Sequence, residues 1–314
     1  MQVLAAIDDG ILDRCAEEHE FFWLDVAGPT DDDVARLARR FGWHPLVLED
    51  LTHCGQRAKL ERYGDYLFIA FYGAHHDPAA TPPLSEVHLV VSGDYVVTVR
   101  HAGCRDLDAL RERLAQREDV AEQFVVYSIL DALTDSFFPV IEELDDRIDG
   151  LEDAIVRSPG DEELAGVFAT KRLIADLRRV VTPQRDMAAG ALDELADLPG
   201  LDPGTRDYFR DLYDHLIRIA DALDSYRDLL TSIMDVYLST ISNRLNVVMK
   251  QLTIIATIFL PLTFVTGFFG QNFGWLVRHV TSLGPFLAFG IGGLILPCVG
   301  LYALFRRQGY FSNT

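Results

Sequence analysis

Two stretches near the end of the chain decide what it can fold into. From Val247 to Phe269 the only charged residue is Lys250, and from Leu283 to Phe305 there is none. Each run has 23 residues, roughly 34 Å as helix, enough to cross a hydrocarbon layer of about 30 Å. Two such runs joined by a short loop rarely occur as buried helices of a soluble domain, so the pair predicts two membrane spans. Arg244 and Lys250 flank the first on its N-terminal side, and Arg306 and Arg307 follow the second. The loop between them carries Arg278 as its only firm charge. Basic residues stay on the cytoplasmic side, which places both termini in the cytoplasm and residues 270–282 outside. Met1 to Gly10 holds Asp8 and Asp9 and no apolar run, so no cleaved signal peptide is expected.

Charge divides the chain. After Asp235 there is no Asp or Glu and there are five Lys or Arg; the whole chain carries −20, so residues 1–235 carry −25. An acidic domain of this kind does not attract nucleic acid or anionic lipid heads, but it concentrates cations. Most of these carboxylates are expected on a solvated surface; some are candidates to share divalent ions between facing subunits. Cys15, Cys54, Cys104 and Cys298 are far apart and form no CxxC, which excludes zinc-finger spacing and a redox motif and leaves free thiols in a reducing compartment. His75-His76-Asp77 is the one local histidine cluster and reads as an exposed loop rather than a metal contact.

Residues 1–104 read as a mixed α/β domain. Phe21 to Val26, Tyr66 to Tyr72, Glu86 to Val91 and Tyr95 to Arg100 are β-branched or aromatic runs, with a hairpin turn at Ser92-Gly93-Asp94. Thr30 followed by Asp31, Asp32 and Asp33 starts a helix that stops at Gly42, and His44-Pro45 opens a short one over Leu46 to Leu51. Over residues 105–204 the period becomes helical: Asp106 to Gln116, then Val120 to Val156 with a break or bend near Pro139, then Glu162 to Leu198 with Pro183 as a candidate interruption. Two Pro-Gly pairs, Pro199-Gly200 and Pro203-Gly204, form a turn.

The next helix links the two halves of the sequence. Phe209, Leu212, Leu216, Ile219, Leu223, Tyr226, Leu230, Ile233 and Tyr237 recur at alternating spacings of three and four, a coiled-coil-like seam. No breaker occurs between Thr205 and Pro261, so a stalk over 205–246 is expected to continue into the first span. Within the span, Asn246, Met249, Leu252 or Thr253, Ala256, Leu260, Thr263, Gly267 and Gly270 fall on one line. Small-residue packing between helices accounts for such a line equally well. If the line faces a water-filled path, several copies must surround it, because one helix encloses no hole. Pro261 withholds the donor for the Thr257 carbonyl, leaving it for a threonine hydroxyl or pore water. Gly270-Gln271-Asn272 then sets a glycine and carboxamides at the end of the helix, where oxygen dipoles meet a cation without full charge.

The chain holds no Gly-x-x-x-x-Gly-Lys phosphate loop, no HExxH helix and no Gly-x-Ser-x-Gly elbow. A nucleotide or nucleic-acid partner and catalysis are therefore not expected. A membrane-anchored sensor or enzyme remains the reading from a different class, and ion flux without added nucleotide separates it from transport.

Tyr213-Asp214-His215, Asp224-Ser225-Tyr226-Arg227 and above all Ser242 through Phe273 resemble the CorA family of divalent-cation channels. Trp23-Leu24-Asp25, His44-Pro45-Leu46, Leu48-Glu49-Asp50 and Tyr66-Leu67-Phe68 are similar too, so the resemblance covers nearly the whole chain. It implies an α+β cytoplasmic domain, an α/β sandwich, followed by long stalk helices and two transmembrane helices in a funnel-shaped homopentamer of a bacterial inner membrane. The segments would be 247–269 as the pore-lining span, 270–282 as the external loop, 283–305 as the outer span and 306–314 as a cytoplasmic tail. Gly270, Gln271 and Asn272 would form the selectivity filter, and Asn246, Met249, Leu252, Ala256, Leu260, Thr263 and Gly267 would line the path. Intracellular Mg²⁺ bound between cytoplasmic domains would favour the closed state, with Asp211 as one ligand whose partner the sequence does not identify.

The transported ion would be hydrated Mg²⁺, with Co²⁺ or Ni²⁺ also passed. Two departures stand out. Gln271 replaces the methionine usual between the glycine and the asparagine, and residues 274–282 lack the usual acids and carry Arg278 and His279. The zinc-transporting ZntB branch also varies that middle residue. Zn²⁺ transport, with proton coupling, is therefore the alternative, although His279 and Cys298 are the only imidazole and thiol in or near the spans.

Overall fold

The structure, a computed structural model, describes residues 1–74, 84–117, 120–196, 206–271, 273–279 and 282–307. The cluster His75-His76-Asp77 and the turn at 198–204 lie outside the described residues, as does Asn272. The chain forms two compact units, Met1–Val236 and Tyr237–Thr314.

The first unit is built on six strands: β1 (Gln2–Leu4), β2 (Phe22–Ala27), β3 (Lys59–Tyr63), β4 (Tyr66–Ala74), β5 (Leu84–Ser92) and β6 (Tyr95–Arg100). They lie in the order β1-β2-β6-β5-β4-β3. Strand β2 runs parallel to β1 and β6, and the remaining pairs are antiparallel. Strands β4 and β6 are buried along their whole length, which is why both read as continuous apolar runs. One face carries α1 (Asp9–Glu18), α2 (Asp31–Phe41) and α3 (Pro45–Thr52), whose Leu12, Val34, Leu37, Val47 and Leu51 pack on Leu24, Phe68 and Val97. Local chemistry fixes these helices. Thr30 and Asp33 form a reciprocal cap, Gly42 takes the left-handed conformation that ends α2, and Pro45 opens α3.

The other face carries α4 (Arg105–Leu114), α5 (Glu122–Asp135) and part of the long helices α7 (Asp161–Ala196) and α8 (Arg206–Phe269). Helix α6 (Phe137–Arg157) follows α5 after Ser136. Pro139 withholds a donor from the Asp135 carbonyl, so the ladder breaks there. The Ser136 hydroxyl accepts from the Ala74 amide at 2.7 Å. A Cβ on Gly73 would lie 2.9 Å from Leu133, so only glycine lets β4 approach this junction. Pro183 does not interrupt α7 and Pro261 does not interrupt α8. The predicted seam is packed within the chain: Phe209, Leu212 and Leu216 join the core under the sheet, and Ile219, Leu223, Leu230 and Ile233 are buried.

Sequence patterns missed β1, α1 and β3. Strand β3 is an edge strand whose Lys59, Glu61 and Arg62 suit solvent and hide the β period. A charged group inside the first unit also went unread. Asp25 is fully buried and accepts from Thr98 (2.9 Å), Arg100 (2.9 and 3.2 Å) and Arg111 (2.5 Å).

The second unit holds the end of α8 and the segment that follows. The expected external loop contains a short helix, α9 (Gly274–His279). The second span opens with a helical turn, α10 (Leu283–Pro285), continues as a wide π-helical stretch over Phe286–Ile291, and ends as α11 (Gly292–Arg307). Helix α5 and its continuation are also apolar enough to cross a membrane by composition, but α5 is half-enclosed by the first unit; the other two apolar stretches are left uncovered by the chain.

Candidate functional site: the first span and an acidic cluster on the stalk

Helix α8 presents two opposite stripes within the second unit. Ile254, Thr257, Ile258, Pro261, Leu262 and Val265 are partly covered. Gly290, Gly293, Leu294, Pro297, Cys298 and Leu301 are partly covered on the second span. A Cβ on Gly293 would lie 3.6 Å from Val265 Cγ1, so the two stripes meet there. The other line, Asn246, Met249, Leu252, Ala256, Leu260, Thr263, Gly267 and Gly270, is exposed throughout. At 3.6 residues per turn its mean direction is roughly 160° from the covered stripe. Partners within the chain therefore leave the polar and glycine-bearing line bare.

The threonine hydroxyls of the span turn back on its own backbone. Thr253 donates to Met249, Thr257 to Thr253, Thr263 to Phe259 and Thr266 to Leu262, all at 2.7–2.9 Å. None of these bonds reaches the Thr257 carbonyl, so the threonine half of that expectation is corrected: each hydroxyl reaches one turn back and falls on another carbonyl. At the end of the span the Gly270 amide donates to the Thr266 carbonyl at 2.9 Å, and Gln271 to Phe268 at 3.3 Å. A Cβ on Gly270 would come within 3.0 Å of the Thr266 carbonyl oxygen, so a side chain there would push on the helix end. In α9 the rings of Trp275 and His279 stack with centroids 4.4 Å apart.

The structure also supplies neighbours for Asp211, on the first-unit part of α8. His215 Nε2 is 3.8 Å from Asp211 Oδ1, while His215 Nδ1 is 3.6 Å from Asp135 and 3.9 Å from Asp131 on α5. The Tyr127 hydroxyl donates to Asp211 at 3.4 Å. Ligand atoms of Asp131, Asp135 and His215 all lie within 4.8 Å of one another. Asp131 Oδ1 and His215 Nδ1 are buried without a hydrogen-bond partner. Burial raises the pKa of Asp131, and the Asp135 charge raises it further. Asp135 is raised by burial and by Asp211. Like charges gathered around orphaned acceptors are the condition that a divalent cation relieves. The sequence held a signal for this: Asp131/Asp135 and Asp211/His215 are both i,i+4 pairs, each on one helix face.

A mixed-sheet domain of high negative charge, continued by one unbroken helix into a unit of two apolar spans without a single acid, is the architecture of a cation transporter. A family model described as "CorA-like Mg2+ transporter protein" matches residues 18–307. The chain belongs to that family. It is 35% identical over 286 residues to the cobalt/magnesium transport protein CorA of Thermotoga maritima, covering 89% of this chain and 81% of the relative. It is 27% identical over 276 residues to the zinc transport protein ZntB of Yersinia enterocolitica, covering 87% and 83%. Its fold is that of the complete CorA magnesium transporter from Methanocaldococcus jannaschii, with a TM-score of 0.77 over 92% of this chain and 90% of that one at 22% identity.

Proposed function

We propose that several copies of this chain, five by family resemblance, ring a water-filled path through a bacterial inner membrane and conduct hydrated Mg²⁺ inward. The observation that carries this is the exposed line from Asn246 to Gly270, opposite the stripe that meets the second span. Mg²⁺ dehydrates reluctantly. Backbone carbonyls near Gly270 and the carboxamides of Gln271 and Asn272 can hydrogen-bond to its water shell and spare it that step. Fixed carboxylates would hold the ion and slow its release, and residues 236–314 contain none. The membrane potential drives the ion with about 4.6 kcal/mol per 100 mV for a double charge.

In the same proposal Asp131, Asp135, Asp211 and His215 hold a cytoplasmic divalent ion that favours the closed state. The carboxylates suit Mg²⁺, and the imidazole admits Co²⁺ or Zn²⁺. The second reading, zinc transport coupled to protons, is favoured by Gln271 and by the acid-free loop with Arg278. Vesicles containing the purified protein distinguish them. Mg²⁺ entry driven by an inside-negative potential, without nucleotide or pH gradient, is the expected result. Zn²⁺ entry that requires a pH gradient, with no Mg²⁺ entry, would establish the second reading. A monomeric protein in the membrane would overturn both.

A further inference from the structure

The loop after α3, the ends of β4 and β5, and α7 enclose a cavity of about 560 Å³ that neither the pore nor the acidic cluster uses. Its size falls in the range of small-molecule sites. Most of its polar groups are already spent within the protein. Glu86 accepts the amides of Gly55 and Gln56 and lies 2.9 Å from His88 Nε2. The Tyr72 hydroxyl donates to the Gln56 carbonyl, and His101 Nε2 is bonded to the Leu51 carbonyl at 2.8 Å.

Two cations are not spent. Arg57 enters from the loop and Arg179 from α7; both are exposed, and neither has a carboxylate partner among the described residues. On the same helix Arg178 holds Asp224 at 2.6 Å and Arg185 holds Asp186 at 2.8 Å, whereas Arg179 lines the cavity without such a partner among the described residues. Glu86 and Asp176 match the two guanidinium groups in number, but Glu86 is turned onto the Gly55 and Gln56 amides and His88, so Asp176 is the one lining carboxylate left open. Leu84, Val180, Pro183 and the Tyr72 ring supply apolar wall.

From this juxtaposition we infer that the cavity binds a small organic phosphate, with Arg57 of the loop and Arg179 of α7 gripping the anion and the apolar side receiving its body. Guanidinium forks match phosphate oxygens in pairs. Because one arginine belongs to the loop beside the sheet and the other to α7, the ligand straps that helix to the sheet edge. The inference does not depend on what crosses the membrane.

Phenyl phosphate, inorganic phosphate and phenol are titrated calorimetrically into the full-length protein in lipid nanodiscs. Excess EDTA keeps the probes from acting by withdrawing divalent ions. Phenyl phosphate binds one per chain and at least about tenfold more tightly than inorganic phosphate or phenol. Arg57→Ala and Arg179→Ala each weaken it at least about tenfold at unchanged melting temperature. Arg179→Lys, which keeps the charge, retains part of the binding and carries the test if an alanine variant is unstable. Equal binding of inorganic and phenyl phosphate, unaltered binding in the arginine variants, or no heat up to about 10 mM probe each overturns the inference.

Discussion

His215 Nε2 lies 3.8 Å from Asp211 Oδ1, one turn earlier on the same helix, and the opposite ring nitrogen faces Asp135. A single imidazole thus stands between carboxylates of α5 and α8, and an ion held there, as proposed, would tie α5 to the long helix α8. Asp211→Ala is expected to shift the inhibition of uptake by internal Mg²⁺ to at least about tenfold higher concentration, a loss of about 1.4 kcal/mol of binding. Superimposable inhibition curves would place the control elsewhere.

The same cluster predicts a pH dependence. Burial raises Asp131 and Asp135 above the values they have unfolded. Without metal, their ionised forms therefore destabilise the fold at neutral pH, and that penalty disappears as pH falls through the raised values. In EDTA at neutral pH, Asp131→Asn should melt above the parent by roughly 2–4 °C, and the gap should close on acidification. With saturating divalent ion the order should reverse, because the parent gains binding energy that the variant has lost. Melting curves that keep the parent higher in EDTA would contradict this account.

Asn272→Ala is expected to abolish divalent flux while the oligomer survives, since the substitution removes the carboxamide proposed to meet the ion's water shell. Uptake into vesicles and mass measurement on the same preparation check the two halves together. Parental uptake would remove Asn272 from the filter.

The two stripes of the first span can be told apart by thiol labelling. In a background with Cys54 and Cys298 replaced, Leu260→Cys and Ala256→Cys should react with a charged, water-soluble reagent and lose flux in proportion. Ile258→Cys and Val265→Cys, on the stripe that meets the second span, should react at least about tenfold more slowly. Rates at Leu260 and Ala256 as slow as those on the covered stripe would mean that the exposed line faces no water.

Arg100→Met leaves the Asp25 carboxylate buried with fewer partners, and a cost of about 3–5 kcal/mol in stability is expected. Adding Asp25→Asn should recover a substantial part of the loss by removing the stranded charge. Thermal unfolding of the single and double variants reads both effects.

Much of this architecture was legible in the chain because burial there is wholesale. Strands β4 and β6 have no solvent face, the spans have almost no charge, and Thr30, Gly42 and Pro45 mark helix ends by local chemistry. Elements at the rim were harder. Strand β3 needs one edge exposed, and the apolar positions of α1, Ile11, Leu12 and Cys15, are too few to show a period. The acidic cluster was half visible: Asp211 stood out through family likeness, whereas Asp131, Asp135 and His215 become neighbours only when α5 and α8 pack on one face of the sheet. The cavity at Arg57 and Arg179 joins residues more than a hundred positions apart, and no spacing rule reaches across that distance.

The bare line on α8 has a genetic corollary. Under the proposed assembly the wall of the conduit is contributed by every copy and belongs to no single polypeptide, so one defective copy would be inherited by the whole. When intact and Asn272→Ala chains are made together, mixed rings would far outnumber pure ones, and the defective allele should silence its healthy counterpart.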